Sequence, residues 1–300
     1  MVAVVTQPDR PAGRGQQLTA SAVKAAALAR GLHVVTPVAL RAFVEDVRSF
    51  GADAFVVASY GRILPQALLD AVPIAFNLHP SLLPLYRGAT PLQSAIRDGR
   101  EETGVSIIAM DAGMDTGDVL LRERTPLGAD ETYGELHDRL AVRAAEMLLE
   151  GLAQYETEML HRISQARIAQ LEGISPTEIA ATTTRPLTKR DLQIDWTAAR
   201  RRVIDSVRAY APQPLARTEF AGVGALKIAA ARADDDHPAP EGLPCGPFVR
   251  DGKHPFLGAL CGDGSVVALE RVVAPGRPPT DGEMFARSWS DRAARQAGAP

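Results

Sequence analysis

Cysteine is scarce in this chain: Cys245 and Cys261 are the only two in 300 residues. They form no CxxC pair and join no His/Cys grouping of zinc spacing, which argues against a disulfide scaffold or structural zinc and fits a reducing cytoplasm. Long apolar runs are missing too, none reaching the ~18 residues a membrane helix needs. The opening Met1-Val2-Ala3-Val4-Val5 breaks at once into Thr6-Gln7-Pro8-Asp9, too short for the apolar part of a secretory signal and better read as a strand. Positive charge is not in excess, since the formal net charge is -3. That argues against a strongly basic nucleic-acid binder and leaves local basic patches open. Internal repeats are absent. What remains is a chain with 46% hydrophobic and 23% charged residues, the balance of a globular protein with a real core. Its length suits two ordinary domains or one large one. The expectation is a soluble cytoplasmic protein without a membrane span.

The first half alternates short apolar runs with helical patterns. Residues 2–5, 34–35, 54–58, 74–78 and 105–109 are strand candidates, almost wholly apolar, as strands covered on both faces are. Residues 22–30, 40–49, 64–71, 90–98 and the longer 132–152 read as helices. Ser21 suits an N-cap for the first, and Thr132 with Glu135 a capping box for the last. This alternation predicts an α/β fold with an open, mostly parallel, Rossmann-like sheet. From about Gly173 the character changes. Residues 175–187 are rich in Thr, Pro and Ala and suit a linker, and 200–209 suit one more helix. Short strand-like pieces at 225–229 and 266–273, set among Gly, Pro and Asp, predict a small β-rich domain or barrel. Residues 234–247 read as an exposed loop. The implied division is 1–172 for a first domain, 173–197 for a linker and 198–300 for a β-rich C-terminal domain.

The densest chemical signal is Asn77-Leu78-His79-Pro80-Ser81-Leu82-Leu83-Pro84, followed by Tyr86-Arg87-Gly88. His79 emerges at the C-terminal end of an apolar strand, the edge where open α/β sheets bind ligands. Asn77 lies two residues earlier, so carboxamide and imidazole face one side. A second piece, Asp111-Ala112-Gly113-Met114-Asp115-Thr116-Gly117-Asp118, follows the next strand. If the two strands are parallel, it reaches the same sheet edge, where one of its three carboxylates would orient the imidazole and favour its protonated form. The bland readings are a capping histidine and a surface Asp/Gly turn. The spacing is not that of a calcium loop, which alternates its ligands and ends in Glu.

These residues resemble the core of the enzymes that use 10-formyltetrahydrofolate, whose signature is an Asn, a His and an Asp around an SLLP loop. Thr6-Gln7-Pro8-Asp9-Arg10-Pro11-Ala12-Gly13-Arg14-Gly15 is similar to a loop of the methionyl-tRNA formyltransferase family, and Leu187-Thr188-Lys189 with Ile194-Asp195-Trp196 resembles the entry to its C-terminal domain. The resemblance implies a formyltransferase fold with an OB-like C-terminal barrel, and formyl transfer to the α-amine of initiator methionyl-tRNA in translation initiation. It implies that His79 handles the proton, Asn77 stabilises the formyl oxygen and Asp115 orients His79. Ser81, Leu82, Leu83, Pro84, Arg62, Ile63, Leu64, Pro65 and Asp111 would hold the folate. Arg10, Arg14, Lys189 and Arg190 would meet tRNA. The co-substrate would be 10-formyltetrahydrofolate, with no metal, and the protein a monomer. Formylation of a small amine, or folate or RNA binding without catalysis, are the competing expectations. Two departures stand out. The family carries a strand and helix before the position of Val2, so the parallel sheet is expected to lose a central member and expose apolar neighbours. Ala211-Pro212-Gln213-Pro214 stands where the family has Pro-Trp-Pro.

Overall fold

A computed structural model of the chain describes residues 1–12, 17–221, 223–250 and 255–296; Arg14 lies outside them. Two compact units are present, one of Met1–Arg87, Val105–Glu123 and Arg143–Ala181, the other of Gly88–Gly104, Arg124–Val142 and Thr182–Pro300.

In the first unit, β1 (Val4–Val5) is followed by a small antiparallel hairpin of β2 (Arg10–Ala12) and β3 (Gln17–Thr19). Helix α1 (Ala22–Leu28) then leads to β4 (Val34–Val35), which pairs in parallel with β1. Ser21 caps α1, accepting a hydrogen bond from the Lys24 amide at 3.0 Å, as its position before the apolar run predicts. After α2 (Val44–Ser49) comes a separate sheet, beginning with β5 (Phe55–Val57). Beyond α3 (Gln66–Leu69), β6 (Ala75–His79) runs parallel to β5. The parallel strands thus fall in two sheets, and β5 has no partner on its outer side among the described residues. Val56 there is 46% exposed. Beneath these elements Leu40, Phe43, Val47, Leu68, Leu69, Val72 and Ala75 form one buried cluster.

In the second unit, α4 (Pro91–Arg97) opens with a buried proline at its first turn, where a missing N–H costs nothing. The next strand, which from Val105 on belongs to the first unit, corrects the parallel expectation: β7 (Glu102–Ala109) runs antiparallel to β6, with His79 opposite Ser106 and Phe76 opposite Ala109. A fourth strand, β8 (Val119–Pro126), completes the order β5-β6-β7-β8. Its Arg122, Glu123 and Arg124 carry the charge that edge strands use against aggregation, which is also why the run does not look like a strand. Arg122 pairs with Glu172 at 2.6 Å, and Glu123 with Arg143 at 2.5 Å.

Helix α5 (Tyr133–Glu156) starts with the predicted capping box: Thr132 N donates to Glu135 Oε2 at 2.9 Å, and Glu135 N returns to Thr132 Oγ1 at 3.4 Å. Leu136, Leu140, Ala144 and Met147 are its buried stripe, at the spacing of one helical face. The stretch 173–197 read as a linker holds a helix at its start, and structured residues precede it. Ile163 and Val119 exchange backbone hydrogen bonds of 2.9 and 3.0 Å, α6 (Gln165–Glu172) follows under a Ser164 cap, and α7 (Pro176–Thr182) comes next.

Helix α8 (Arg200–Ala209) packs on α4 and on the first long strand of an antiparallel half-barrel. Its strands are β9 (Ala216–Phe220), β10 (Gly224–Asp234), β11 (Gly246–Arg250), β12 (Phe256–Leu260), β13 (Val266–Val273) and β14 (Thr280–Asp281). Their order is β11-β12-β13-β10-β9, with β14 on β13, and α9 (Gly282–Gln296) closes the chain. The outer strands β11 and β9 do not pair among the described residues. Leu226, Ile228, Leu257 and Leu269 are fully buried in this unit. Asp205 on α8 is buried beside Arg208, with Arg208 Nε 2.8 Å from Asp205 Oδ1. Arg208 Nη1 also donates to the carbonyls of Gly128 (3.1 Å) and Glu131 (3.0 Å).

Candidate active site

Asn77 and His79 lie on the last turns of the β6 pleat and share a face, and both meet Asp115. Asn77 Nδ2 donates to Asp115 Oδ1 at 3.1 Å, and His79 Nδ1 stands 3.5 Å from Asp115 Oδ2. The three residues converge, though by a route the parallel expectation did not foresee. Because β7 is antiparallel, its C-terminal end lies beside Phe76, and the Met110 amide bonds Ala75 O at 2.8 Å. The Asp111–Asp118 loop therefore starts at the far end of β6 from His79 and returns across the face. Its hinge is Gly117, where an added Cβ would lie 1.8 Å from Ala109 O; only glycine permits that approach. Asp111 Oδ1 accepts from Gly113 N (3.0 Å) and Thr116 Oγ1 (2.7 Å), tightening the turn. Asp115 itself has φ 56, in the left-handed region that Asp tolerates better than most residues.

The imidazole is held from its other side by an atom no motif announces. His79 Nε2 lies 2.8 Å from Tyr86 O. A carbonyl can only accept, so Nε2 carries a proton and Nδ1, facing Asp115, is the basic nitrogen. His79 is 4% exposed, and burial pushes it below the ordinary histidine value of 6.5; Asp115 and the Tyr86 carbonyl act upward, and Arg87 downward. Asp115 acts toward the charged ring, in the direction expected of it, and burial acts against it and outweighs it. Burial thus favours the neutral ring, with Nδ1 the nitrogen that faces Asp115.

A measurable consequence follows for pH. As pH falls past 6.5 the unfolded chain takes up a proton at this site before the folded one does, so stability is full above 6.5 and is lost down to the folded midpoint. The His79 ring protons, followed by NMR, are expected to titrate below 6.5, and lower still in Asp115→Asn, which removes the largest upward influence. A midpoint that rises in Asp115→Asn would contradict this electrostatic assignment.

The SLLP loop is pinned by two serines. Ser81 Oγ donates to Leu85 O at 2.7 Å; Ser106 Oγ donates to Ser81 O at 2.7 Å and accepts from Leu83 N at 3.2 Å. Leu83 is buried among Ile108, Val119 and Ile168, so it supports the loop from beneath. Leu82 and Pro84 are buried as well. Ile63 is 85% exposed, Leu64 and Pro65 are half-buried, and Arg62 donates to the carbonyls of Pro37 (3.4 Å) and Val38 (3.2 Å).

Gln165, which carries no local signal in the sequence, joins the site from α6. It accepts from Arg87 Nε and Nη2 at 2.9 and 2.7 Å and donates to Asp115 O and Gly117 O at 2.8 Å each. Arg10 is exposed on β2 and donates to Gln7, whose Nε2 bonds Tyr60 O at 2.6 Å. The base of that hairpin is tied by Lys24 to Asp9 at 2.9 Å. Lys189 and Arg190 are exposed in the second unit. Cys245 and Cys261 are free thiols, and burial pushes the latter up to about 11. Among the described residues no helix is long and apolar enough to cross a membrane.

An amide, an imidazole and a carboxylate on a mixed α/β sheet are the groups that acyl-transfer chemistry uses, and the comparisons identify the family. Residues 1–152 match the formyl transferase family, and residues 186–290 match the formyl transferase C-terminal domain. At 43% identity over 281 residues, a methionyl-tRNA formyltransferase of Anaeromyxobacter dehalogenans covers 93% of this chain, which covers 86% of it. One of Ruegeria pomeroyi is 39% identical over 292 residues, covering 96% and 89%. The chain belongs to the methionyl-tRNA formyltransferase family. Among solved structures, HypX of Aquifex aeolicus in complex with tetrahydrofolic acid superposes with TM-score 0.60 at 18% identity, over 86% of this chain and 43% of its own. An N-formyltransferase of Helicobacter canadensis in complex with folinic acid and dTDP-3-aminofucose gives 0.62 at 14% identity, over 89% and 88%. At such identities these two speak for the fold alone.

Proposed function

We propose that this chain transfers the formyl group of 10-formyltetrahydrofolate to the α-amine of initiator methionyl-tRNA, with Asn77, His79 and Asp115 carrying the chemistry. The observation that carries the reading is the convergence of the three on one face of β6. His79 Nδ1, kept unprotonated by burial, accepts the proton that the attacking amine loses as its nitrogen bonds the formyl carbon. Asn77 spends one N–H on Asp115 and aims the other at the formyl oxygen, where negative charge builds; one such preorganised donor is worth ~3–4 kcal/mol. Asp115 stabilises the imidazolium while the proton is on it. His79 then delivers that proton to the folate nitrogen as its bond to the formyl carbon breaks.

Ser81, Leu82, Leu83, Pro84, Arg62, Ile63, Leu64, Pro65 and Asp111 would hold the folate. The exposed Ile63 beside half-buried Leu64 and Pro65 offers an apolar bed for a flat ring, and Ser81–Pro84 keep one fixed shape through Ser106. The carboxylate of Asp111 is engaged by its own loop, so its part is to shape the backbone. Arg10 on the hairpin, Lys189 and Arg190 in the second unit, and Arg14, outside the described residues, would meet tRNA phosphates. In that reading Arg185 is not among them, because Asp191 holds it at 2.7 Å. The first unit is the catalytic domain, and the half-barrel helps hold the nucleic acid.

The direct test is formylation of initiator methionyl-tRNA by the purified chain with 10-formyltetrahydrofolate, read as N-formylmethionine released from the tRNA. The expected result is product that requires both substrates. Formyl transfer to a small amino sugar or ribonucleotide, with none to the charged tRNA, would overturn the choice of acceptor.

A further inference from the structure

We infer that Gln165 is a positioning residue for this reaction, holding in place both backbone segments that face the two nitrogens of His79. The inference rests on the reading of the site just given. One segment is Tyr86-Arg87: the Tyr86 carbonyl holds Nε2, and the next residue, Arg87, places its guanidinium on Gln165 Oε1. The other is Asp115-Thr116-Gly117, whose first and last carbonyls take the two N–H bonds of Gln165 Nε2. A primary amide is the side chain that fits. Arg87 requires an acceptor and the two carbonyls require donors, which a carboxylate or an ammonium could supply only in part.

The seat of Gln165 is fixed before its side chain does anything. Ile163 is bridged to Val119 at the start of β8, Ser164 caps α6, and Gln165 is the first helical residue, 4% exposed. From there it fixes the carbonyl of Asp115, a residue in the left-handed region whose carboxylate direction depends on that backbone. The charged groups bearing on His79 from the packed elements are Asp115 and Arg87, and Arg87 in turn faces Asp111. Loosening Gln165 therefore releases the favourable partner of the imidazolium and the neighbouring cation together.

The test uses the full chain with Gln165→Met, a neutral side chain of similar length, and Gln165→Ala, so that a folding failure in one leaves the other. Steady-state formylation is measured for both substrates, and the His79 ring is titrated by NMR. Misplacing a reacting constellation by ~1 Å costs up to ~100-fold, so kcat is expected to fall ~10–100-fold with KM for each substrate little changed. The His79 midpoint is expected to move to lower pH as Asp115 drifts away. In an Asp115→Asn background the same Gln165 substitution is expected to add little further loss, because it acts through Asp115. An equal loss in both backgrounds, or an unmoved His79 midpoint, would overturn the inference. An unsubstituted chain without formyl transfer, in which the midpoint still moves with Gln165, would sink the proposed reaction and leave the positioning intact.

Discussion

Replacing His79 with alanine is expected to lower the formylation rate by ~10²–10⁴-fold, the range a positioned acid–base group supplies, with little change in KM for folate. Nδ1 stands beside Asp115, which also holds the Asn77 amide, and burial favours its unprotonated form. Alanine also removes the buried hydrogen bond from His79 Nε2 to Tyr86 O, and such a bond is worth ~0.5–1.5 kcal/mol of stability. The comparison therefore needs His79→Asn alongside, and rates taken well below each variant's melting temperature. Asn77→Ala is expected to lose ~10²–10³-fold through the missing oxyanion donor. The double variant should fall by less than the product of the two, since both serve one transition state. Full activity in His79→Asn would remove His79 from the chemistry.

The second large effect lies away from the chemistry, at Asp205. Asp205→Ala is expected to destabilise the second unit by ~3–5 kcal/mol, the usual cost of stripping one partner from a buried ion pair. Asp205 is 0% exposed and takes Arg208 Nε at 2.8 Å and Arg201 Nε at 3.0 Å. Without it the Arg208 guanidinium stays buried, with the Gly128 and Glu131 carbonyls as neutral partners. Urea unfolding followed by circular dichroism would read the loss as a shift in midpoint. Adding Arg208→Met to Asp205→Ala should recover much of it, because the uncompensated charge is gone. A change of less than ~1 kcal/mol in the single variant would mean that water reaches the pair.

Much of the site was legible because its parts are local. The strand signal at 74–78, the two-residue offset of Asn77 and His79, and the Asp/Gly density at 111–118 are all readable within a few residues. Caps at Ser21 and Thr132 were equally local. What escaped is what depends on pairing across the chain. The antiparallel direction of β7 has no mark in its own apolar residues, which suit either orientation. The charges of β8 make it look like a loop until Glu172 and Arg143 are seen beside it. Tyr86 acts through a carbonyl that every residue possesses, and Gln165 through contacts with positions 50 and 78 residues away in sequence. The sign of the His79 shift was hidden for the same reason. A neighbouring carboxylate is visible in a motif, but the depth of burial is not.

The return path of the Asp111–Asp118 loop has a mechanical meaning. From the Ala75 level, where the loop begins, to the mid-point between Asn77 and His79 is two to three residues of strand, or ~7–10 Å. The five residue-to-residue steps from Met110 to Asp115 can extend to ~17 Å. The chain thus has slack, and the turn around Asp111 takes it up. The amide and imidazole ride on a rigid rail while their counter-charge hangs on an adjustable tether. Small changes in the tether can retune the proton affinity of His79 while leaving the rail, and whatever is aligned on it, where it stands.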